Sequence, residues 1–196
     1  MGLTDRRERT RTHADDGAFV PGARGAPRCD DWNCDKRRHV ATSSFQESLI
    51  PARGLWAYGQ AHGHQPSLDA AQRVADLVLA RRLLWRIRDG TLIVPRWGGR
   101  ADRIHYPIQF YDVLFALQVM TELGRIGDPR CADALALLRS KQLPDGGFPL
   151  EEPNAPTAAR VASRHSYANW GPSGKQQSNP LVSLTALAVL QTQRGQ

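Results

Sequence analysis

The sequence predicts an all-α chain built from helical hairpins, and three observations carry that reading. Apolar residues recur every three or four positions through five stretches, the repeat of a helix with one buried face. Those stretches open on capping residues or on proline, and most stop at glycine. The stop Asp89-Gly90 returns as Asp145-Gly146, 56 residues on, so one plan of apolar helix, polar turn, amphipathic helix and Asp-Gly is used twice.

Residues 1–30 mix Arg, Asp, Thr, Gly and Pro around one apolar pair, Phe19-Val20. That is too little apolar surface to offset the entropy of ordering the backbone, so a disordered N-terminal tail is expected, with the folded domain over 31–196. A first helix is placed near Thr42, where Thr42 or Ser43 can cap and Gln46 or Glu47 can reach back to free amides. Phe45, Leu49, Ala52 and Trp56 form its apolar stripe, and Pro51 and Gly54 predict a kink. Ser67 is placed as the cap of a second helix running to Arg88. Its apolar side is Ala71, Val74, Ala75, Val78, Leu79, Leu83 and Ile87, and its charged side Asp69, Arg73, Asp76, Arg81 and Arg86.

The second hairpin begins with a helix from Gln109 to Leu123, closed by Gly124. Asp128-Pro129 then reads as cap and first-turn proline of a helix carrying Cys131, Ala134, Leu135 and Leu138. Between the hairpins, Thr91 to Trp97 reads as a short β excursion. Residues 151–178, rich in Pro, Asn, Ser and Gly, lack periodicity and form a long loop. Asn179-Pro180 opens a last helix with the stripe Leu181, Leu184, Leu187, Ala188 and Gln191.

The 196 residues, 41% of them hydrophobic, suit one globular domain with a tail. No apolar run approaches about 18 residues and no signal peptide is legible, so a cytoplasmic protein without a membrane span is expected. The charge of +7 comes from 26 Lys and Arg against 19 Asp and Glu spread along the chain. No block of like charge forms, which points to a solvated surface and away from a nucleic-acid arm. The densest basic cluster, Arg81, Arg82, Arg86 and Arg88, has two readings: contact with diphosphate or nucleic acid, or the wet face of a helix. Three cysteines are an odd number, read as reduced thiols or ligands and not as a disulfide framework.

Gln142-Leu-Pro-Asp145-Gly146-Gly147-Phe148 at a helix end is similar to the Gln-to-aromatic repeat signature of the terpenoid cyclases and protein prenyltransferases. Tyr111-Asp112, the run Gly124 to Leu135 and the closing Ser183 to Leu190 resemble the same superfamily. The resemblance implies an α/α toroid of alternating inner and outer helices, here about two and a half helix pairs. It also implies a central cavity faced by inner-helix starts, which would gather Trp32, Cys34, His39, His105, Tyr106, Tyr111 and Asp112 at one rim. An isoprenoid-type ligand would meet Trp32, His39, Tyr106 and Tyr111 as its walls. Asp112 with His105 would supply a proton to an alkene or epoxide if burial raised the carboxyl's pKa.

The standard catalytic motifs of that superfamily are missing. Class II terpenoid cyclases use the middle Asp of an Asp-x-Asp-Asp run, and His13-Ala-Asp15-Asp16 and Arg28-Cys-Asp30-Asp31 both lack the first Asp. Prenyltransferases hold zinc with an Asp-x-Cys pair and a distant His, and Asp31-Trp-Asn-Cys34 is one residue too long. Cys29, Cys34 and His39, spaced five and five, are an alternative zinc set requiring a folded-back loop. Each nominated residue also has a structural role open to it: Asp112 as a first-turn acid favoured by the helix dipole, the aromatics as covers for helix ends. Three functions remain open. One is an isoprenoid-type enzyme or binder. A second is a non-catalytic helical-repeat module, or fragment of a larger toroid, that meets a protein partner or itself through exposed helix faces. The third is a carbohydrate-active barrel, for which only Glu151-Glu152 offers paired carboxylates.

Overall fold

The computed structural model describes residues 45–87, 89–93, 100–107, 111–153 and 168–195. The expected tail and the nominated Cys29, Trp32, Cys34 and His39 lie outside the described residues. The rest is mostly helical: α1 (Phe45–His62), α2 (Gln65–Leu79), α3 (Val113–Glu122), a 3-10 turn (Pro129–Cys131) leading into α4 (Ala132–Ser140), and α5 (Pro180–Arg194). Two two-residue strands, β1 (His105–Tyr106) and β2 (Glu152–Pro153), pair in parallel. No helix among the described residues is long and apolar enough to cross a membrane.

α1 and α2 form the first hairpin, turning at Gly63 with φ +63°. The helices approach closely because Gly59 has no side chain; a Cβ there would stand 2.6 Å from Leu68 Cδ2. The predicted stripes reach the core. Leu49 and Ala52 on α1, and Ala71, Val74, Ala75, Val78 and Leu79 on α2, are fully buried.

Two boundaries of α2 differ from expectation. Its N-cap is His64 and not Ser67, which lies inside the helix with Oγ 2.8 Å from His64 Nδ1. Its end is Leu79 and not Arg88, because Arg82 and Leu83 turn left-handed at φ +48° and +65°. The helical period continues through this segment, but a continued helix would not place these groups where the core takes them. Leu83 and Leu84 are buried, Trp85 bridges to Leu92, and the Leu83 carbonyl accepts the Tyr111 hydroxyl. Arg81, expected on the charged side, is consequently buried, while Ile87, expected on the apolar side, is exposed. Asp89-Gly90 still makes a turn, with Asp89 Oδ1 accepting from Thr91 N, ten residues past the helix end.

The second hairpin has its predicted cap at Asp128, but its first helix is capped by Asp112, which was expected inside a helix starting at Gln109. Asp112 Oδ1 accepts from Phe115 N at 2.7 Å, and Asp128 Oδ1 accepts from Arg130 N at 2.9 Å. Cys131, Ala134, Leu135 and Leu138 are buried, as their stripe predicts. The turn after α4 is closed by Gln142 Nε2 donating to Gly146 O, by Gly146 at φ +84°, and by Asp145 accepting from Gly147 N and Ser178 Oγ. Phe148 then enters the core. Gln142 thus ties the turn to itself and not to a free helix end.

α3 packs on α1, α4 and α5. Asn179 caps α5, its Oδ1 accepting from Leu181 N and Val182 N while Nδ2 donates to Trp170 O and Pro172 O. The stripe that α5 buries is not the predicted one. Val182, Ala186, Val189 and Leu190 are buried, while Leu181, Leu184 and Leu187 are 38%, 72% and 46% exposed. Both faces of α5 are apolar, so periodicity could not tell which one meets α3.

Candidate functional site

The loop before α3 and the loop after the Phe148 turn meet at β1 and β2, and the site is built where they pair. The register sets His105 opposite Glu152 and Tyr106 opposite Pro153. Just below, the Asp112 cap brings its second oxygen up to the strand, where Oδ2 accepts from His105 N at 2.8 Å. The result is an imidazole held between two carboxylates. His105 Nδ1 stands 3.4 Å from Asp112 Oδ2, and His105 Nε2 stands 3.1 Å from Glu152 Oε2. The His105 and Asp112 side chains are 2% and 3% exposed, and that of Glu152 is 48% exposed.

Burial alone would lower the His105 pKa, but the Asp112 carboxylate and then Glu152 outweigh it and hold the ring above the ordinary histidine value. The arrangement sets the buried Asp112 carboxylate and the half-exposed Glu152 carboxylate on either side of the His105 ring.

Glu151 faces the other way and is engaged by Ile104 N at 2.8 Å, Lys141 Nζ at 2.7 Å and Arg103 Nη1 at 3.1 Å. These bonds tie the loop after α4 to the approach to β1. The adjacent acids therefore divide: Glu151 anchors the crossing and Glu152 meets His105. They do not form the paired carboxylates that glycoside hydrolysis needs.

The nominated aromatics also divide. Tyr111 is sealed in the core with its hydroxyl donating to Leu83 O at 2.5 Å, and burial raises its pKa well above the usual phenol value. Tyr106 is half-buried, edge-on to Trp170 with ring centroids 5.3 Å apart. Trp170 Nε1 is buried without a hydrogen-bond partner among the described residues.

Thus the structure brings His105, Asp112 and Tyr106 to one place, adds Glu152 and Trp170, and sets Tyr111 apart. Asp112 is the N-cap of α3, one position before the first turn, with its two oxygens taken by the amides of Phe115 and His105. Glu152 was singled out from sequence only as half of the Glu151-Glu152 pair, not as a partner of His105, and Trp170 was not nominated. Only the pairing of strands 47 residues apart places Glu152, and no local pattern announces it. Among the described residues no group of three His, Cys, Asp or Glu side chains is arranged to hold a metal ion. Cys131 is a buried thiol whose pKa is pushed up to about 12 by burial and by Asp128, which makes it a poor nucleophile.

Compared with protein-family models, with curated proteins and with solved structures, the chain matches none.

Proposed function

We propose that the protein is a helical-hairpin binding module of the α/α-toroid kind, with α5 as an edge helix that seats a further apolar helix from a second copy of the chain. The exposed row Leu181, Leu184 and Leu187 carries this reading. Single exposed leucines are ordinary, but three at positions i, i+3 and i+6 make one continuous apolar strip along a helix. α3, an apolar helix of the same type, packs on both α1 and α5. A helix laid on the Leu184 face would give α5 the same surroundings. The Asp112 oxygens, occupied by backbone amides, favour binding over proton-transfer catalysis.

The test is molar mass by light scattering and sedimentation across a wide concentration range. The expected outcome is a concentration-dependent dimer that Leu184→Glu converts to a monomer with unchanged circular dichroism. A wild-type protein that stays monomeric at the highest concentrations defeats the proposal.

A second reading, an isoprenoid-type apolar ligand, is favoured by one observation: the half-buried Tyr106–Trp170 pair beside His105. Farnesol, an uncharged probe, should then raise the melting temperature, since a ligand of the native state stabilises it. Trp170→Ala should remove that shift.

A further inference from the structure

The early end of α2 creates a feature that the helical hairpins do not require. Between the turn that follows α2 and the start of α4 lies a cleft of about 480 Å³ lined by Arg81, Arg82, Trp85, Arg86, Ile87 and Asp133, among others. That volume is within the range of small-molecule sites. Arg81, Arg82 and Arg86 are among its lining residues and Asp133 is the acid among them, with Arg81 itself buried.

The carboxylate is already engaged: Asp133 accepts from Trp85 Nε1 at 2.9 Å and pairs with Arg82. The indole and Arg82 together hold its pKa below the usual value, so it stays ionised and fixes the Trp85 ring as a wall. Arg81 is 2% exposed with Nη1 donating to Leu77 O at 2.9 Å, which places a positive charge against the low-dielectric core.

The backbone supplies an independent observation. Arg82 and Leu83 are consecutive residues with side chains in the left-handed region, φ +48° and +65°, where a residue bearing a Cβ is strained. The strain is maintained by full burial of Leu83 and by the Tyr111 hydroxyl on its carbonyl. It interrupts the helix so that Arg81, Arg82 and Arg86, which α2 would otherwise carry on along one rod, line one cleft. Backbone strain held in place by its surroundings concentrates at ligand sites.

We infer that this cleft binds the phosphate group of a small molecule whose flat or apolar body rests on Trp85. Guanidinium forks match phosphate oxygens in geometry and charge, and Arg82 and Arg86 are the two arginines at the cleft that would supply them. Ile87, more than half exposed at the mouth, extends the apolar wall. The site is separate from the His105 cluster and independent of the α5 edge.

The experiment titrates the full chain with inorganic pyrophosphate at fixed ionic strength, with chloride as control. Calorimetry gives the stoichiometry, and the Trp85 indole N–H resonance, assigned with Trp85→Phe, reports the location. Saturable 1:1 binding that moves the Trp85 resonance is expected, and Arg82→Gln and Arg86→Gln should each weaken it by about tenfold, the size of one lost charge-assisted hydrogen bond. Phenyl phosphate should bind more tightly than inorganic phosphate.

Binding that never saturates, a Trp85 resonance that stays still, or folded arginine variants with wild-type affinity each overturn the assignment. Equal affinity for phenyl and inorganic phosphate overturns the role given to Trp85. A single-stranded oligonucleotide that binds through the same arginines where pyrophosphate does not would replace the small molecule with a nucleic acid. Should a variant fail to fold, the wild-type Trp85 titration still decides.

Discussion

α3 and α5 are both apolar helices opened by a capping side chain, yet one is core and the other is half surface. In α3, Val113, Leu114, Phe115, Ala116, Leu117, Val119 and Met120 are all buried. In α5, burial stops at Val182, Ala186, Val189 and Leu190, and the leucine row stays open. The two helices differ in their neighbours, since α3 packs on α1, α4 and α5 while α5 packs chiefly on α3. A helix with apolar residues on its open side as well as its buried one has surface left to cover. α5 therefore points to a surface awaiting a partner, whereas α3 shows what such a surface becomes once covered.

The sharpest way to break this contrast is to remove the same side chain from each helix. Leu117→Ala, at a site with no exposure, is expected to cost about 2–5 kcal/mol in urea unfolding, the lost burial plus the cavity left behind. Comparable losses for Leu117→Ala and Leu184→Ala in the monomer would mean that α5 is not an open edge.

The next largest effect falls on the cap of α3. Asp112→Ala removes the acceptor of both the Phe115 and His105 amides, and a loss of about 1–3 kcal/mol is expected. A loss near zero would show that α3 is held by packing alone.

The third prediction concerns pH. His105 has a folded pKa above its unfolded value, so it binds its proton more tightly in the native chain. The stability it contributes is fully present below about pH 6.5, the value of an unfolded histidine, and is lost as pH rises through the higher folded value. His105→Gln should flatten the melting-temperature profile across that window, and a variant with the wild-type profile would dismiss the cluster as the source.

The smallest effect belongs to α5. Leu184→Ala in the monomer should change stability by no more than about 0.5 kcal/mol, as surface substitutions do.

Much of the fold was legible because it is local. The Asp128 and Asn179 caps act within three residues, and the stripe of α4 follows from the helical period alone. The end of α2 was not legible. From Leu79 to Ile87 the period continues without a break, and only the demands of Leu83, Tyr111 and Trp85 on distant partners stop the helix. The same holds for the site: His105 and Asp112 are seven residues apart and could be suspected together, but Glu152 reaches His105 only through strand pairing.

The sequence by itself determined that the chain is mostly helical, which segments are apolar and that Asp128 and Asn179 open helices, because capping and periodicity are set by neighbours a few bonds away. Tertiary structure alone decided which face of α5 is buried, that Arg81 turns inward, and that Glu152 rather than Glu151 meets the imidazole. Those outcomes depend on which surfaces arrive opposite one another. A short-range pattern holds no record of that when both faces of a helix are equally apolar or two acids stand side by side.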